Sequence, residues 1–308
     1  MPRSGEPARH PGSNNVTTTN EPTPIIPGRP REVLVLGGTG KTGRRVVNRL
    51  AEQGVRVRAA SRNPAESVAG INPFHFDWDD ASTHGPALAG VDAVYLIPPA
   101  MVVDHVAQVT AFIAAAQEAG SPRIVMLTAR GVNTDDAIPM RQEELVLETS
   151  GLRWSVVRPT WFNQNFSEGF LEPAVFGNGV ISVPAGDGGV PFIDADDIAD
   201  VATALLLDPS LDGQAYDISG PETMSWAAAI AMLGEALDRD LTYVDADPVQ
   251  WEQSMVGQGV PAAYAGLLGG LFSVIRNGYD AHRSDGVEKL LGHEPTSFRA
   301  WAETLTNA

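Results

Sequence analysis

The 308-residue chain contains no cysteine, which excludes disulfides, thiolate nucleophiles and cysteine-ligated metals. Its six histidines are scattered without the spacing of a metal site, and G-x-S-x-G is absent. Both absences argue against a metalloenzyme or a serine hydrolase, and we expect no metal. No apolar run reaches the length of a membrane span, and no signal-peptide core is visible. We therefore expect a cytoplasmic protein that makes no membrane contact.

Positive charge is also scarce. Lys41 and Lys289 are the only lysines, and the formal net charge is −17. Such an acidic chain is a poor partner for nucleic acid or an anionic membrane, so we expect a small-molecule substrate. The charge does not exclude a homodimer. Any phosphate-binding site must therefore be a local cluster of basic residues on this acidic chain.

The N-terminal segment 1–30 holds seven prolines among Ser, Thr, Asn and Gly. Such a composition cannot bury enough apolar surface to order itself. We predict a disordered tail over 1–30, which leaves a length suited to one α/β domain with a substrate lid.

Residues 33–43 read VLVLGGTGKTG and are the most informative stretch. An apolar β-branched run breaks into glycines and then into a helical pattern, which predicts strand, tight turn and helix. The glycines satisfy both G-x-G-x-x-G, from Gly38, and G-x-x-G-x-x-G, from Gly37. They permit the turn, the approach of a pyrophosphate and close helix–strand packing. The residues predicted to hold the pyrophosphate are Gly37, Gly40, Lys41, Thr42 and Gly43.

The end of the second predicted strand selects the nucleotide. Arg62 lies 19 residues after Gly43 and follows Ser61. An NAD site usually carries an acid near this position, for the ribose 2′-OH. A hydroxyl and a guanidinium suit a 2′-phosphate instead, so we predict NADP(H), with Ser61 and Arg62 as ligands. Lys41 and Arg44 would add positive charge.

Seven predicted strands separated by helical stretches indicate an α/β fold, a doubly wound parallel (Rossmann) sheet. We place the NADP-binding domain at 31–212 and a smaller, mostly helical substrate lid at 213–308, with parts of 160–190. Ligands bind at the carboxyl ends of such strands. The further residues predicted there are Asp77 and Trp78 at the adenine, Ile97, Pro98, Thr128 and Pro159 along the cofactor, and Trp161, Phe162 and Asn165 at the substrate. The acidic run 194–200 is interpreted as helix capping, with Asp196 as the N-cap.

The segments GGTGKTGRR, ASRNP, FDWDD, GVDAVYLIPP, SGLRWSVVRPTWFNQNF and FIDADDIADV together resemble the NmrA-like branch of the atypical short-chain dehydrogenases. Within it, the chain is most similar to the ergot-alkaloid (agroclavine) dehydrogenase-like proteins. The resemblance covers about 31–300 and is looser after the first 200 residues. It implies a Rossmann fold, NADP(H), and hydride transfer to an imine or iminium.

One departure from the wider family bears on mechanism. Typical short-chain dehydrogenases carry Y-x-x-x-K on the helix after the fifth strand, where Tyr gives a proton and Lys lowers its pKa. Here Met140 and Glu144 occupy those positions. The route through a Tyr acid is therefore not expected. Weak candidate acids elsewhere are Glu144, Tyr264, Tyr279 and His282.

Two functions remain open at this point. In the first, the chain reduces an acceptor that needs no strong acid, such as an iminium, a quinone or a polarised alkene. In the second, it is a redox-neutral catalyst, such as a cyclase, or an NADP redox sensor that keeps the nucleotide fold.

Overall fold

A computed structural model describes Met1 and residues 28–64 and 70–307, so nearly all of the tail predicted over 1–30 lies outside the described residues. The strands in these ranges follow in chain order: β1 (Glu32–Leu36), β2 (Arg56–Ser61), β3 (Ile71–His75), β4 (Ala93–Leu96), β5 (Arg123–Leu127), β6 (Trp154–Pro159), β7 (Val180–Val183), β8 (Gly189–Val190), β9 (Gln214–Ile218), β10 (Met224–Ser225) and β11 (Thr242–Asp245).

The α-helices in the same ranges are α1 (Lys41–Glu52), α2 (His84–Leu88), α3 (Val106–Glu118), α4 (Pro139–Thr149), α5 (Glu172–Phe176), α6 (Ala195–Leu207), α7 (Trp226–Leu237), α8 (Pro248–Gly257), α9 (Ala262–Arg276), α10 (Gly286–Leu291) and α11 (Phe298–Thr304). Within the described ranges, none of them has both the length and the apolar character needed to cross a bilayer.

The main sheet has seven strands in the order β3-β2-β1-β4-β5-β6-β9, and every neighbouring pair is parallel. This confirms the predicted doubly wound sheet. The order reverses between β1 and β4, and ligands bind at such a switch point, at the carboxyl ends of the strands. Strand β3 lies at an edge of the described sheet, where Pro73 is tolerated because an edge strand need not donate every backbone N–H to a neighbouring strand.

Helices cover both faces of this sheet. On one face, α1 and α6 pack together through buried aliphatic side chains such as Val46, Leu50 and Leu205, and α10 adds Val287. On the other face, α2, α3 and α4 contribute Leu88, Phe112 and Leu147. Each of these side chains stabilises the fold by about 1.5–3 kcal/mol on burial.

The part of the chain predicted as the substrate lid has a third core of its own. Buried aromatic and aliphatic residues from the segment after β6, from α7 to α9 and from α11 form it, including Trp226, Phe272 and Phe298. Two short strand pairs, β7 with β11 and β8 with β10, border this core and were not predicted. Within 213–308, β9 lies in the main sheet and α10 packs on α6, so these two elements belong to the sheet layers. The exact boundary between domain and lid stays a prediction.

Candidate functional site

The glycine loop joins β1 to α1 by a turn that leaves no room for a side chain at Gly43. Gly37 adopts a left-handed φ of +62°, and Gly40 donates its N–H to the Gly37 carbonyl at 2.8 Å. A Cβ on Gly43 would lie 2.1 Å from the same carbonyl oxygen, closer than atoms can approach. Gly43 therefore lets α1 begin directly against the loop.

The N-terminus of α1 is free to receive an anion. Its N-cap, Gly40, offers no side-chain hydrogen bond, and the first turn holds no acidic residue. The first N–H groups of a helix have no partner inside the helix, and the helix dipole makes this end positive. The loop and helix start thus fit a pyrophosphate. Lys41 and Thr42 occupy the first turn, and Thr42 is buried.

The end of β2 carries a polar atom that lacks a partner. The Ser61 Oγ is buried, and no hydrogen bond to it is found in the described part of the chain. The next residue, Arg62, is exposed, and among the described residues its guanidinium makes no ion pair with a carboxylate. Within the described ranges, a hydroxyl without a hydrogen-bond partner thus stands beside a guanidinium without an ion pair, and these are the donors that a ribose 2′-phosphate needs.

The predicted adenine residues are held by local structure. The Asp77 Oδ1 accepts the Asp79 N–H at 3.1 Å, which fixes the turn after β3. The Trp78 ring packs edge-on against Phe76, with centroids 5.2 Å apart. These contacts give both residues a structural role at this corner of the crevice, and their contact with adenine stays a prediction.

The ends of β1, β4, β5 and β6 meet at one edge of the sheet. The Ile97 side chain lies 3.5 Å from where a Cβ on Gly37 would be. The Thr128 N–H donates to the Val157 carbonyl at 2.9 Å, and the Arg130 N–H donates to Pro159 at 3.0 Å. The structure thus brings four of the predicted cofactor positions together: Gly37, Ile97, Thr128 and Pro159. Pro98, which follows Ile97, is buried.

Glu144 lies beneath this edge as a fully buried carboxylate. It accepts hydrogen bonds from Thr128 Oγ1 at 2.7 Å, from Arg158 Nε at 2.9 Å and from Arg141 at 2.8 Å. Burial by itself would raise the pKa of Glu144, but the hydrogen bonds from Arg158 and Thr128 outweigh it and hold that pKa below its usual range. At the position of the family lysine, the chain therefore holds a permanent anion rather than a cation or a proton donor.

The segment after β6 contacts both the lid and the glycine loop. The Trp161 ring packs on Phe272, with centroids 4.9 Å apart, in the lid core. Phe162 packs instead against the core beneath α1 and α6. Asn165 Oδ1 accepts a hydrogen bond from Lys41 Nζ at 2.9 Å, and burial lowers the pKa of Lys41. Lys41 therefore stands between the predicted phosphate site and the predicted substrate segment.

Arginines on α1 also form ion pairs with carboxylates of this segment and of α6. Two expectations from the sequence are corrected by the contacts around α1 and α6. Arg44, expected to add to the field at the 2′-phosphate, forms an ion pair with Glu168. The N-cap of α6 is Asp194 rather than Asp196, because the Asp194 side chain accepts the Asp196 N–H at 2.9 Å. Asp196 instead pairs with arginines on α1.

The other candidate acids lie on the lid. Tyr279 is 75% exposed, and His282 is also exposed. Burial raises the pKa of the Tyr264 hydroxyl on α9. In the described structure, no hydrogen bond joins any of the three to Glu144, so the structure does not assemble them into one acid–base group. No group of three or more His, Asp or Glu side chains in the described ranges is placed to hold a metal ion.

Sequence reasoning missed two arginines at this edge. Arg158, inside the sixth strand, anchors Glu144, and Arg130, just after β5, donates to the backbone carbonyls of Asp280 and His282 on the lid. The signal for Arg158 was a charged residue in an otherwise apolar strand. Arg130 carried no such signal.

The family model described as NAD(P)H-binding matches residues 37–209, from the glycine loop to the end of α6. The chain belongs to this NAD(P)H-binding family. It is 33% identical to the NAD(P)H azoreductase of Xenophilus azovorans, over 88% of this chain and 96% of that protein. It is 29% identical to the agroclavine dehydrogenase of Claviceps fusiformis, over 86% and 94%.

Solved structures agree with the assignment to this NAD(P)H-binding family. The NADPH-dependent quinone oxidoreductase QOR2 of Escherichia coli, solved with NADPH, has a TM-score of 0.75 at 25% identity, over 89% of this chain and 99% of that one. NmrA, a negative transcriptional regulator, shares the fold, with a TM-score of 0.70 at 16% identity over 91% and 96%. These comparisons confirm the NmrA-like family, an NAD(P)H-binding domain and an NAD(P)H-dependent oxidoreductase as the class of enzyme.

Proposed function

We propose that this chain reduces an imine, an iminium or another activated small acceptor with NADPH, without the Tyr-x-x-x-Lys acid. The observation that carries the proposal is the state of Glu144. Arg158 and Arg141 hold its carboxylate in the anionic form, and Met140, one turn earlier on α4, has no proton to give. These two positions therefore offer no acid for a carbonyl oxygen.

An acceptor that is already activated removes this need. An iminium carries a positive charge and becomes a neutral amine by taking a hydride alone. The protein then contributes proximity and orientation, and a chain of net charge −17 attracts a cationic substrate. The names of relatives support activated acceptors more generally, since they include an azoreductase, an agroclavine dehydrogenase and a quinone oxidoreductase.

For the cofactor we infer a preference for the 2′-phosphate. NADPH, when bound, supplies a hydride with its electron pair and leaves as NADP⁺. Gly40 and Lys41 would bind the pyrophosphate at the start of α1, and Ser61 and Arg62 would bind the 2′-phosphate. The partnerless Ser61 hydroxyl supports this assignment, because a buried polar atom without a partner costs about 1–3 kcal/mol and a phosphate oxygen removes that cost.

The substrate would lie between the end of β5 and the lid, with Trp161, Phe162 and Asn165 around it. Trp161 supports this placement, because its ring links the end of β6 to the aromatic core of the lid. The proposed enzyme acts in the cytoplasm on a small molecule.

Deuterium transfer tests the proposal. NADPH carrying deuterium at the reactive C4 position would be incubated with the protein and a cyclic iminium, whose amine product keeps the label in a C–D bond. A quinone and an azo dye would be followed by NADPH oxidation and loss of acceptor absorbance, because their products exchange O–H and N–H hydrogens with water. We expect NADPH oxidation with at least one acceptor, and deuterium in the amine by mass spectrometry if the iminium is reduced. Tight NADP(H) binding without transfer to any acceptor would contradict a reductase and favour the redox-neutral catalyst or the sensor. The Gly43→Ala variant, which closes the phosphate loop, is the matched negative control.

A further inference from the structure

A second ionisable pair lies buried beside Glu144. His105, 2% exposed, is the N-cap of α3, and Glu143, fully buried, is the residue before Glu144 on α4. The His105 Nδ1 contacts the Glu143 Oε1. Apart from this contact, neither oxygen of the Glu143 carboxyl has a hydrogen-bond partner in the described part of the chain.

The position of the pair places it next to the crevice. His105 closes the loop that leaves the carboxyl end of β4, the loop that begins with Ile97 against Gly37. Glu143 is the neighbour of Glu144, which accepts the Thr128 hydroxyl at the end of β5. The pair thus bridges α3 and α4 at the edge where the ends of β4 and β5 meet.

The surroundings of the pair favour the retention of a proton. Burial raises the pKa of Glu143, against the pull of His105, and the negative charges of Asp104 and Glu144 push it in the same direction as burial. In the described part of the chain, the buried Glu143 oxygens have the His105 ring nitrogen as their one polar contact, and a proton held between the two groups would offset the cost of burying the carboxyl. This is the opposite of Glu144, which two arginines keep ionised one residue away.

From this geometry we propose that the His105–Glu143 pair supplies the proton to acceptors that need one besides the hydride. The inference rests on the proposed reductase function. A quinone becomes a hydroquinone by taking one hydride, with its two electrons, and one proton. The proton would leave His105, reach the acceptor oxygen through water in the crevice, and be replaced from solvent. Glu143 holds the imidazole in place and balances its charge.

Two acceptors separate this role from a structural one. A quinone needs a proton, whereas a triarylmethyl cation dye becomes its neutral leuco form by taking a hydride alone. In His105→Gln and in Glu143→Gln, we expect single-turnover reduction of the quinone to slow by about 100-fold. Reduction of the dye, and the Kd of NADPH, should be unchanged. His293→Gln, an exposed histidine on the lid side, is the matched control and should leave both rates unchanged.

Two kinetic outcomes would overturn the proposal, and they are distinct. An equal loss for quinone and dye would mean that the pair only maintains the structure. No loss for either would mean that bulk water supplies the proton. The solvent deuterium isotope effect on quinone reduction is the accompanying readout, and it should change in the variants because the donor has changed.

A spectroscopic measurement keeps this inference separate from the proposed function. In the NADP⁺-bound protein at neutral pH, ¹⁵N NMR of the imidazole and the infrared band of the Glu143 carboxyl report how many protons the pair holds. We expect the pair to hold one proton more than a neutral imidazole and an ionised carboxylate would hold together. Observation of the neutral imidazole with a carboxylate would overturn the inference, even for a protein that reduces both acceptors. A protein that reduces neither acceptor would overturn the proposed function instead.

Discussion

Lys41 donates a hydrogen bond from Nζ to Oδ1 of Asn165 across 2.9 Å, although 124 positions separate the two residues along the chain. The bond ties the first residue of α1, at the phosphate loop, to the segment that follows β6. A Cβ on Gly169 would lie 2.9 Å from the same Nζ, so the segment is shaped around the ammonium. The predicted cofactor and substrate sites therefore share one cation.

Lys41→Met should weaken NADPH and NADH by the same amount, about 1–3 kcal/mol for a lost charge-assisted bond. Both nucleotides carry the pyrophosphate that Lys41 is predicted to bind. Calorimetric titration of the two nucleotides measures this. Lys289→Met, which removes the other lysine of the chain, is the control and should change neither affinity. A loss confined to NADPH would place Lys41 at the 2′-phosphate instead.

Arg62→Ala should act on NADPH much more than on NADH, by about 1–3 kcal/mol, because only NADPH has the 2′-phosphate. Arg56→Ala is a matched control, since Arg56 is exposed at the opposite end of β2. The same titrations decide the outcome. Equal losses for both nucleotides would contradict the assignment of Arg62.

Gly43→Ala should abolish tight binding of either nucleotide. The new methyl group would lie 2.1 Å from the Gly37 carbonyl oxygen, so α1 must shift away from the loop. Overpacking of this kind costs about 1–3 kcal/mol of stability. Gly85→Ala is the control, because a Cβ there meets nothing within 4 Å. Wild-type nucleotide affinity in Gly43→Ala would contradict the phosphate site.

Glu144→Gln should lower the free energy of unfolding by about 3–5 kcal/mol at neutral pH, because it leaves Arg158 buried without its carboxylate. Because hydrogen bonds depress the pKa of Glu144 in the folded state, its contribution to the free energy of unfolding is complete above about pH 4.3, the usual pKa of a glutamate. That contribution is lost as the pH falls through the lower, folded-state pKa. Urea unfolding at several pH values should therefore show the difference shrinking in acid.

The control for this variant is Glu148→Gln, because Glu148 is partly exposed and pairs with Arg141. It should cost less than about 1 kcal/mol. A Glu144→Gln deficit that stays constant from acid to neutral pH would mean that the charge of Glu144 is not what stabilises the fold.

Asp197→Asn should become relatively more stable as the pH rises. Burial raises the pKa of Asp197 to about 6, and its carboxyl accepts the Thr296 N–H at 2.7 Å, which an asparagine oxygen can also accept. A raised folded-state pKa gives a stability contribution that is complete below about pH 3.9 and lost as the pH rises through 6. Between pH 3.9 and pH 6, the free energy of unfolding of the wild type should therefore fall by about 2–3 kcal/mol relative to that of Asp197→Asn. A difference independent of pH would contradict this.

The strands of the main sheet were predictable because most are short apolar or β-branched runs bounded by turn residues, such as β1, β4 and β5. Parallel pairing follows from the helices between most of them. The pairs β7–β11 and β8–β10 were not predictable. Strands of two to four residues have too little alternation to recognise, and their partners lie far away along the chain.

The same contrast holds at the site. The glycine loop, Ser61 and Arg62 could be read from spacing, because turn, strand and helix follow one another locally. The Glu144 cluster could not, because it depends on Arg158, which reaches α4 only through the pairing of β5 with β6. The buried contact of His105 with Glu143 likewise depends on how α3 packs on α4.

Arg130 fastens the end of β5 to the lid through the main-chain oxygens of Asp280 and His282, besides the Asp280 carboxylate. Every amino acid supplies a main-chain oxygen. Two of these tethers therefore survive almost any substitution at the lid positions that they hold. On the proposed placement of the substrate beside the lid, mutations in this part of the lid would change substrate preference while the lid stays attached to the sheet.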